Sequence, residues 1–495
     1  MEPLSINHPR VRRADFPTAA MLAYPERVLQ FGTGVLLRGL TDYAIETANR
    51  RALFQGRIVV VKSTDGGDAG AFDRQDGLYT LCIRGIRDGL PVAEDLLCSP
   101  ISRVLAARTQ WADILQAATQ PAIEVVISNT TEVGLQYVPE DIRATPPASF
   151  PAKLLACLYA RYQAVAGDPA RGWVIIPTEL IPDNGTRLAD MLLRLAHHNA
   201  LDASFIHWLT TANTCCNSLV DRIVPGSPDE GFRAGAEAAL GYQDDLMILA
   251  EPYRLWAIEG GEQVRARLAF AATDAGVIIA PDITRYRELK LRLLNAVHTL
   301  TCGLAHLAGF ETVSAGMESP ALSGFVSDLM VQEIGQALPP DITQEDMVLF
   351  AHQVLDRFRN PYIRHRWLAI TLQYTAKVRM RVLPVLRTYI TRFGQPPAAM
   401  ALGMAAYIRC MRVTGRDAAG YWGEANGNRY QIQDDHAAWW ETVWQTDDPE
   451  LLVRQVLRQT DIWGEDLTLL PGWEAAVLHA LRRILDQGAG VVLGV

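Results

Sequence analysis

Three residues in the stretch ELKLRLLNAVHTL have the types that carbonyl chemistry needs: Lys290, Asn295 and His298. On an α-helix, at about 100° per residue, Asn295 lies about 140° round from Lys290 and His298 about 80° from it, so all three can line one side of a cleft. A ketone that accepts a hydride becomes an alkoxide, and the alkoxide needs a proton. A lysine whose pKa is lowered in a dry site delivers that proton as a general acid and takes it back as a base in reverse. Asn295 can donate a hydrogen bond to the developing oxyanion, and His298 can orient substrate hydroxyls or the lysine. The same spacing also fits a surface lysine above a helix whose Asn and His are satisfied in the core. No His or Glu stands at a short ligand spacing from His298, so no metal is expected.

A hydride needs a donor, and the segment VLQFGTGVLLRGLTDYAIETANR offers a place for one. A strand ends at Phe31, Gly32-Thr33-Gly34 turns, and a helix opens. Gly32 permits the sharp turn, Gly34 lets the backbone approach a pyrophosphate, and the helix N-terminus supplies N–H groups and partial positive charge. Leu37 stands where a third glycine is usual, so the fingerprint is incomplete, and a bland turn is the alternative. Arg38 either pairs with phosphate or lies on the surface. The second strand ends Val61-Lys62-Ser63-Thr64-Asp65. No acid stands at its tip to grip ribose hydroxyls, Asp65 comes late, and Lys62 could meet a 2′-phosphate. Motif logic therefore leaves NAD against NADP open.

The elements that must position these groups follow from the hydrophobic pattern. Apolar runs at 27–31, 57–62, 123–128 and 173–177 are short, rich in Val and Ile, and bounded by turn residues, as strands buried on both faces of a parallel sheet are. Helical patterns at 38–51 and 153–166 lie between them, which predicts right-handed crossovers. After about residue 280 long helical patterns follow one another (285–307, 347–358, 398–413), punctuated by Pro361, Pro384, Pro396 and Pro397, with no strand series. The expected fold is α/β: a Rossmann-type doubly wound domain over residues 1–280, then a mainly α-helical domain over 281–495, with the site in the cleft between them.

Bulk properties exclude other classes. Lys and Arg number 46 against 55 Asp and Glu, and no basic block stands out, so general nucleic-acid binding is not expected. The seven cysteines include no C-x-x-C and suit reduced thiols. The N-terminus lacks an apolar signal-peptide core, and no 18-residue apolar run occurs, so a cytoplasmic protein without membrane contact is expected. The expected partner is a small molecule; the oligomeric state stays open.

In this order, these residues resemble the polyol-specific long-chain dehydrogenases, the mannitol dehydrogenase family. The family's G-x-G-x-x-x-R turn matches Gly32, Gly34 and Arg38. QDGLYT stands at 75–80, the strand-end S-x-T-x-T-E-x-G pattern has a related form in SNTTEVG at 128–134, V-D-R-I is 220–223, and K-x-x-x-x-N-x-x-H is Lys290, Asn295 and His298. The resemblance covers nearly the whole chain. SNTTEVG, PTELIPDNG (177–185), FRNPYIRH (358–365) and YQIQDD (430–435) are similar to the branch that interconverts tagaturonate and altronate with NADH.

That resemblance implies NAD bound by Gly32, Thr33, Gly34 and Arg38, with Asn129 and Thr130 beside it. It implies Lys290 as general acid/base, with Asn295 and His298 in carbonyl polarisation and substrate placement. Lys377 matches a family lysine near the substrate, and Asp221 a family active-site carboxylate. One departure stands out: Glu179-Leu180 replaces the Asp-Asn of mannitol- and mannonate-type members. Leu180 cannot donate to an oxyanion, which argues against those substrates. A keto-sugar acid brings a carboxylate, for which Arg364 is a two-pronged candidate, with Lys377, His365 and Arg379 nearby in sequence. The rival readings are fructuronate reduction or sugar-alcohol oxidation on the same scaffold, and a non-catalytic nucleotide sensor.

Overall fold

Residues with Val and Ile on successive positions build the centre of the molecule's first half because both faces of its sheet are covered. The computed structural model describes all residues except 15, 64–68 and 131–133. Six strands stand in the order Ile101–Ala106, Arg57–Lys62, Glu26–Phe31, Val125–Ser128, Val174–Pro177 and Thr214–Cys215. Every neighbouring pair is parallel. In chain order this is third, second, first, fourth, fifth, sixth, the arrangement of a dinucleotide-binding Rossmann sheet. The chain builds outward from the first strand, then returns to the centre and builds the other way. The reversal falls between Glu26–Phe31 and Val125–Ser128.

The strands' alternating residues pack two different cores, as a pleat of period two requires. Leu29, Phe31, Val59, Val61, Val126 and Ile175 face helices Trp111–Thr119, Phe150–Ala164, Asn184–His198 and Ala203–Ala212. Val28, Ile58, Val60, Val125, Ile127, Val174 and Ile176 face the other side, with Thr41–Arg50. The helix expected at 38–51 comes in two pieces, Val35–Gly39 and Thr41–Arg50, because Leu40 leaves helical geometry (φ −128°, ψ −66°).

The chain divides into two compact units. The first is Met1–Arg84 with Val92–Ile283, and the second is Gly85–Pro91 with Thr284–Val495. Besides the parallel sheet, the first unit holds Ser218–Asp221, Leu255–Glu259 and Val277–Ala280 as a three-stranded sheet. Among the described residues, no helix is long and apolar enough to cross a membrane.

The second unit is mainly helical. Val297–Leu307 is buried almost all round, and Gly403 lets Ala398–Cys410 approach it: a Cβ there would come 2.7 Å from the Leu300 carbonyl oxygen. The helix expected at 285–307 is continuous but changes character, from α (Thr284–Leu289) to π (Lys290–Ala296) and back to α (Val297–Leu307). The expectation of no strands in this half needs correction. Gly415–Asp417, Gly420–Ala425 and Asn428–Ile432 form an antiparallel meander. Its second turn is Asn426-Gly427, both at positive φ (51° and 73°), the pairing that a tight hairpin demands.

Candidate active site

At the switch point the carboxyl ends of the first and fourth sheet strands meet. Gly32 adopts φ +125°, and a Cβ there would lie 2.9 Å from the Asn129 carbonyl oxygen and 3.1 Å from Leu37 Cδ1. Its N–H continues the ladder by donating to the Val61 carbonyl at 3.0 Å. Gly34 is the opposite case: no atom lies within 4 Å of where its Cβ would be. It caps Val35–Gly39 in an extended conformation, and the first N–H groups of a helix have no partner within it. A closed wall at Gly32 and an open one at Gly34, with half-buried Thr33 between them, fit a pyrophosphate. The late acid Asp65 lies outside the described residues, as do positions 131–133 of the SNTTEVG stretch.

Arg38, expected at the phosphates, is engaged in packing. Its guanidinium donates to the Leu246 carbonyl at 2.5 Å and lies 5.6 Å and 5.4 Å from the ring centres of Phe72 and Tyr79. Burial lowers its pKa. Asn129 and Thr130 stand at the switch point, held from the neighbouring strand. Asn129 Nδ2 donates to the Thr178 carbonyl and hydroxyl at 3.1 and 3.0 Å. The Thr130 N–H and hydroxyl donate to Glu179 at 2.9 and 3.0 Å, and the Ser128 hydroxyl donates to its other oxygen at 3.1 Å.

Glu179 is thus a buried acceptor that shapes the loop after the fourth strand. The sequence signal for it was an acid two residues after a fully apolar strand, beside a Ser-Asn-Thr loop. Leu180 next to it is 60% exposed. Asn184 is fully buried, its amide nitrogen within 3.0–3.1 Å of the Pro177, Glu179 and Ser218 carbonyls, and its oxygen accepts from Gly185 and Ser218 N–H groups. Its polar capacity is satisfied by the fold. Glu179→Ala leaves the Ser128 and Thr130 donors without their acceptor, at about 1–3 kcal/mol for each group left buried. The expected result is a raised KM for the dinucleotide with kcat changed far less. A lowered melting temperature with KM unchanged would make Glu179 a fold element only.

In the second unit a π-helical turn carries two of the expected groups. A π-helix bonds residue i to i+5 and winds more loosely than an α-helix, so residues five apart come closer to a shared face. Lys290 and Asn295 are five apart within that turn, and both are half-buried. The angle of about 140° expected from α geometry is therefore narrowed. Arg292, between them, pairs with Glu288 at 2.9 Å and donates to the Met380 and Arg381 carbonyls at 3.1 Å each. It fixes a second π-helix, Val378–Val382, against the first.

His298 follows one residue after the α-helix resumes. Its ring stacks on Phe358 (centres 4.2 Å apart) and stands edge-on to His365 at 5.3 Å and Trp367 at 6.1 Å. Burial, then the charges of His365, Arg357, Arg381 and Lys377, push its pKa well down, so the imidazole is neutral. Its Nε2 is buried with no hydrogen-bond partner among the described residues. Lys377 joins this group; its Nζ donates to the Ile370 carbonyl at 2.7 Å, and burial and Arg381 lower its pKa.

Arg364 does not join it. Its side chain is 71% exposed and pairs with Glu311 at 3.1 Å, alongside Arg366. The structure thus places Arg364 at the surface, apart from the groups around His298. Asp221 is buried at the end of Ser218–Asp221, opposite Leu255, in the first unit. The sequence reading missed Arg357 and Arg381; the available signal for Arg381 was its spacing of four from Lys377, which puts both on one helical face. No group of three or more potential metal ligands occurs among the described residues.

Known families match both units. The mannitol dehydrogenase Rossmann domain matches residues 26–271, and the mannitol dehydrogenase C-terminal domain residues 282–485. The altronate oxidoreductase of Yersinia enterocolitica is 37% identical over 488 residues, which span 97% of this chain and 98% of that one. This chain belongs to the mannitol dehydrogenase family. The altronate oxidoreductase of Bacillus subtilis is also 37% identical, over 94% of each chain. Among solved members of similar fold, a D-sorbitol dehydrogenase in substrate-free form superposes with a TM-score of 0.75 at 22% identity, covering 95% of this chain and 98% of its own. The Pseudomonas fluorescens mannitol 2-dehydrogenase, in ternary complex with NAD and D-mannitol, gives 0.68 at 22% identity, covering 96% and 95%. The junction between the two family domains, 271 to 282, falls just before the unit boundary at Ile283.

Proposed function

We propose that this mannitol dehydrogenase family member catalyses the NADH-dependent reduction of D-tagaturonate to D-altronate, and the reverse oxidation. The observation behind the chemistry is the π-helical turn that carries Lys290 and Asn295, followed by His298, whose buried Nε2 has no hydrogen-bond partner among the described residues. Whole-chain identity to altronate oxidoreductases supports the substrate.

The Gly32–Gly34 turn, with Asn129 and Thr130 across the switch point, holds the dinucleotide. NADH, when bound, supplies the hydride. Arg38 acts at one remove, pinning the turn's helix to the Leu246 carbonyl. Lys290 holds a proton on Nζ and passes it to the oxygen that the reduced carbonyl leaves negative; in oxidation it takes the hydroxyl proton. The Asn295 side-chain amide donates to that oxygen as its charge grows. His298 offers Nε2 to a sugar hydroxyl, and Lys377 stands beside it. Asp221 is an active-site carboxylate by the family pattern. The chain works in the cytoplasm on a small molecule, as its seven unpaired cysteines favour.

The test follows absorbance at 340 nm with tagaturonate, fructuronate and fructose side by side, with NADH and then NADPH. Rapid turnover of tagaturonate with NADH alone is expected. Preference for fructuronate or fructose would move the substrate within the family. Cofactor binding without turnover of any of the three would leave a nucleotide sensor.

A further inference from the structure

Tagaturonate differs from the neutral ketose tagatose by a carboxylate in place of a terminal CH2OH, so selectivity between them requires a group that meets that charge. The structure gathers unneutralised positive charge in one place of the second unit. Arg292 ties the backbone of Met380 and Arg381 to the turn that carries Lys290 and Asn295. From there the Arg381 guanidinium reaches the Thr299 hydroxyl at 3.3 Å, one residue beyond His298. Lys377 stands four residues earlier, near enough that Arg381 lowers its pKa. Both side chains are partly buried, and neither has an ion pair among the described residues. Both cations act on His298 and Lys377 also acts on His365; burial, with these charges, pushes both imidazoles below their usual range.

Partly desolvated cations with no counter-ion are costly, and an anion arriving there recovers that cost. The orphaned Nε2 of His298, in a residue only 9% exposed, marks a polar position that the fold itself leaves unfilled. We propose that Arg381, seconded by Lys377, is the subsite that binds the substrate carboxylate and so sets selectivity for keto-sugar acids over neutral ketoses. This rests on the reading of the chain as a keto-sugar acid reductase. Arg381 has the planar fork that a carboxylate accepts in two-pronged fashion; Lys377 contributes a point charge. Arg364, by contrast, is paired with Glu311 at the surface.

The full chain and its Arg381→Gln and Arg381→Lys variants are compared in two ways. The first is kcat/KM with NADH for tagaturonate and for tagatose. The second is calorimetric binding of altronate and of altritol, its uncharged counterpart, to the NAD⁺-loaded protein. Arg381→Gln is expected to cut the acid-over-neutral preference about ten- to a hundredfold in both, as loss of a hydrogen bond to a charged group does, with Arg381→Lys in between. An equal fall for acid and neutral ligands would make Arg381 a structural residue and overturn the proposal. So would a wild-type protein that binds altronate no better than altritol. An Arg381-dependent preference in binding without any turnover of tagaturonate would uphold the subsite while sinking the proposed activity.

Discussion

Lys290→Met is expected to lower kcat for tagaturonate reduction by at least about a hundredfold, the low end for a general acid, with NADH affinity nearly unchanged. Methionine keeps most of the lysine's length and apolar stem, so the half-buried position stays filled and the π-turn keeps its packing. What disappears is the proton. Asn295 still donates to the oxygen, but an amide cannot neutralise an alkoxide. Stopped-flow measurement of a single turnover separates this step from product release, and NADH titration checks the cofactor site. If the single-turnover rate of Lys290→Met stays near wild type, Lys290 leaves the mechanism, and neutral His298 becomes the residue to test. Asn295→Ala is the natural companion: it should fall less, because the proton donor remains.

How legible was this in the sequence? The sheet was plain because strands covered on both faces have no polar positions to confuse the period: Val59, Val60 and Val61 pack alternately into two cores and read as one apolar run. The Lys290–Asn295–His298 helix was also plain, but its winding was not. α and π turns differ by one residue in the hydrogen-bond step, and here Arg292 bonds carbonyls almost ninety residues away in a second π-turn. No window along the chain contains both partners.

The surroundings of the arginines were not legible for the same reason. Arg38 sits where a phosphate ligand would, yet its neighbours are Phe72, Tyr79 and Leu246, which only the folded first unit assembles. Arg364 and Arg381 both occur in basic stretches of the second unit. Glu311 holds the first at the surface, while the second π-turn carries the other to His298. The meander at Gly415–Ile432 had a local signal, Asn426-Gly427, hidden among polar and aromatic residues whose alternation is weak.

Gly32→Ala is expected to weaken NADH binding about tenfold or more, a step of about 1.4 kcal/mol, and to lower the melting temperature by a few degrees. Two causes act together. A side chain at φ +125° is strained, at about 1–3 kcal/mol. Its Cβ would also press on the Asn129 carbonyl at 2.9 Å, which belongs to the other strand of the switch point. Relief requires the first and fourth strand ends to part, and that displaces the turn and the Asn129–Thr130 loop from each other. Gly34→Ala separates stability from binding. It stands at φ −62° with open space before it, so the added methyl meets no strain and lowers the free protein's melting temperature only slightly, through the poorer N-cap. If a pyrophosphate lies against Gly34, NADH affinity still falls, because the methyl occupies the approach. Full affinity in Gly34→Ala would mean that the dinucleotide does not pass this turn closely, and the phosphate site would have to be sought elsewhere along the switch point.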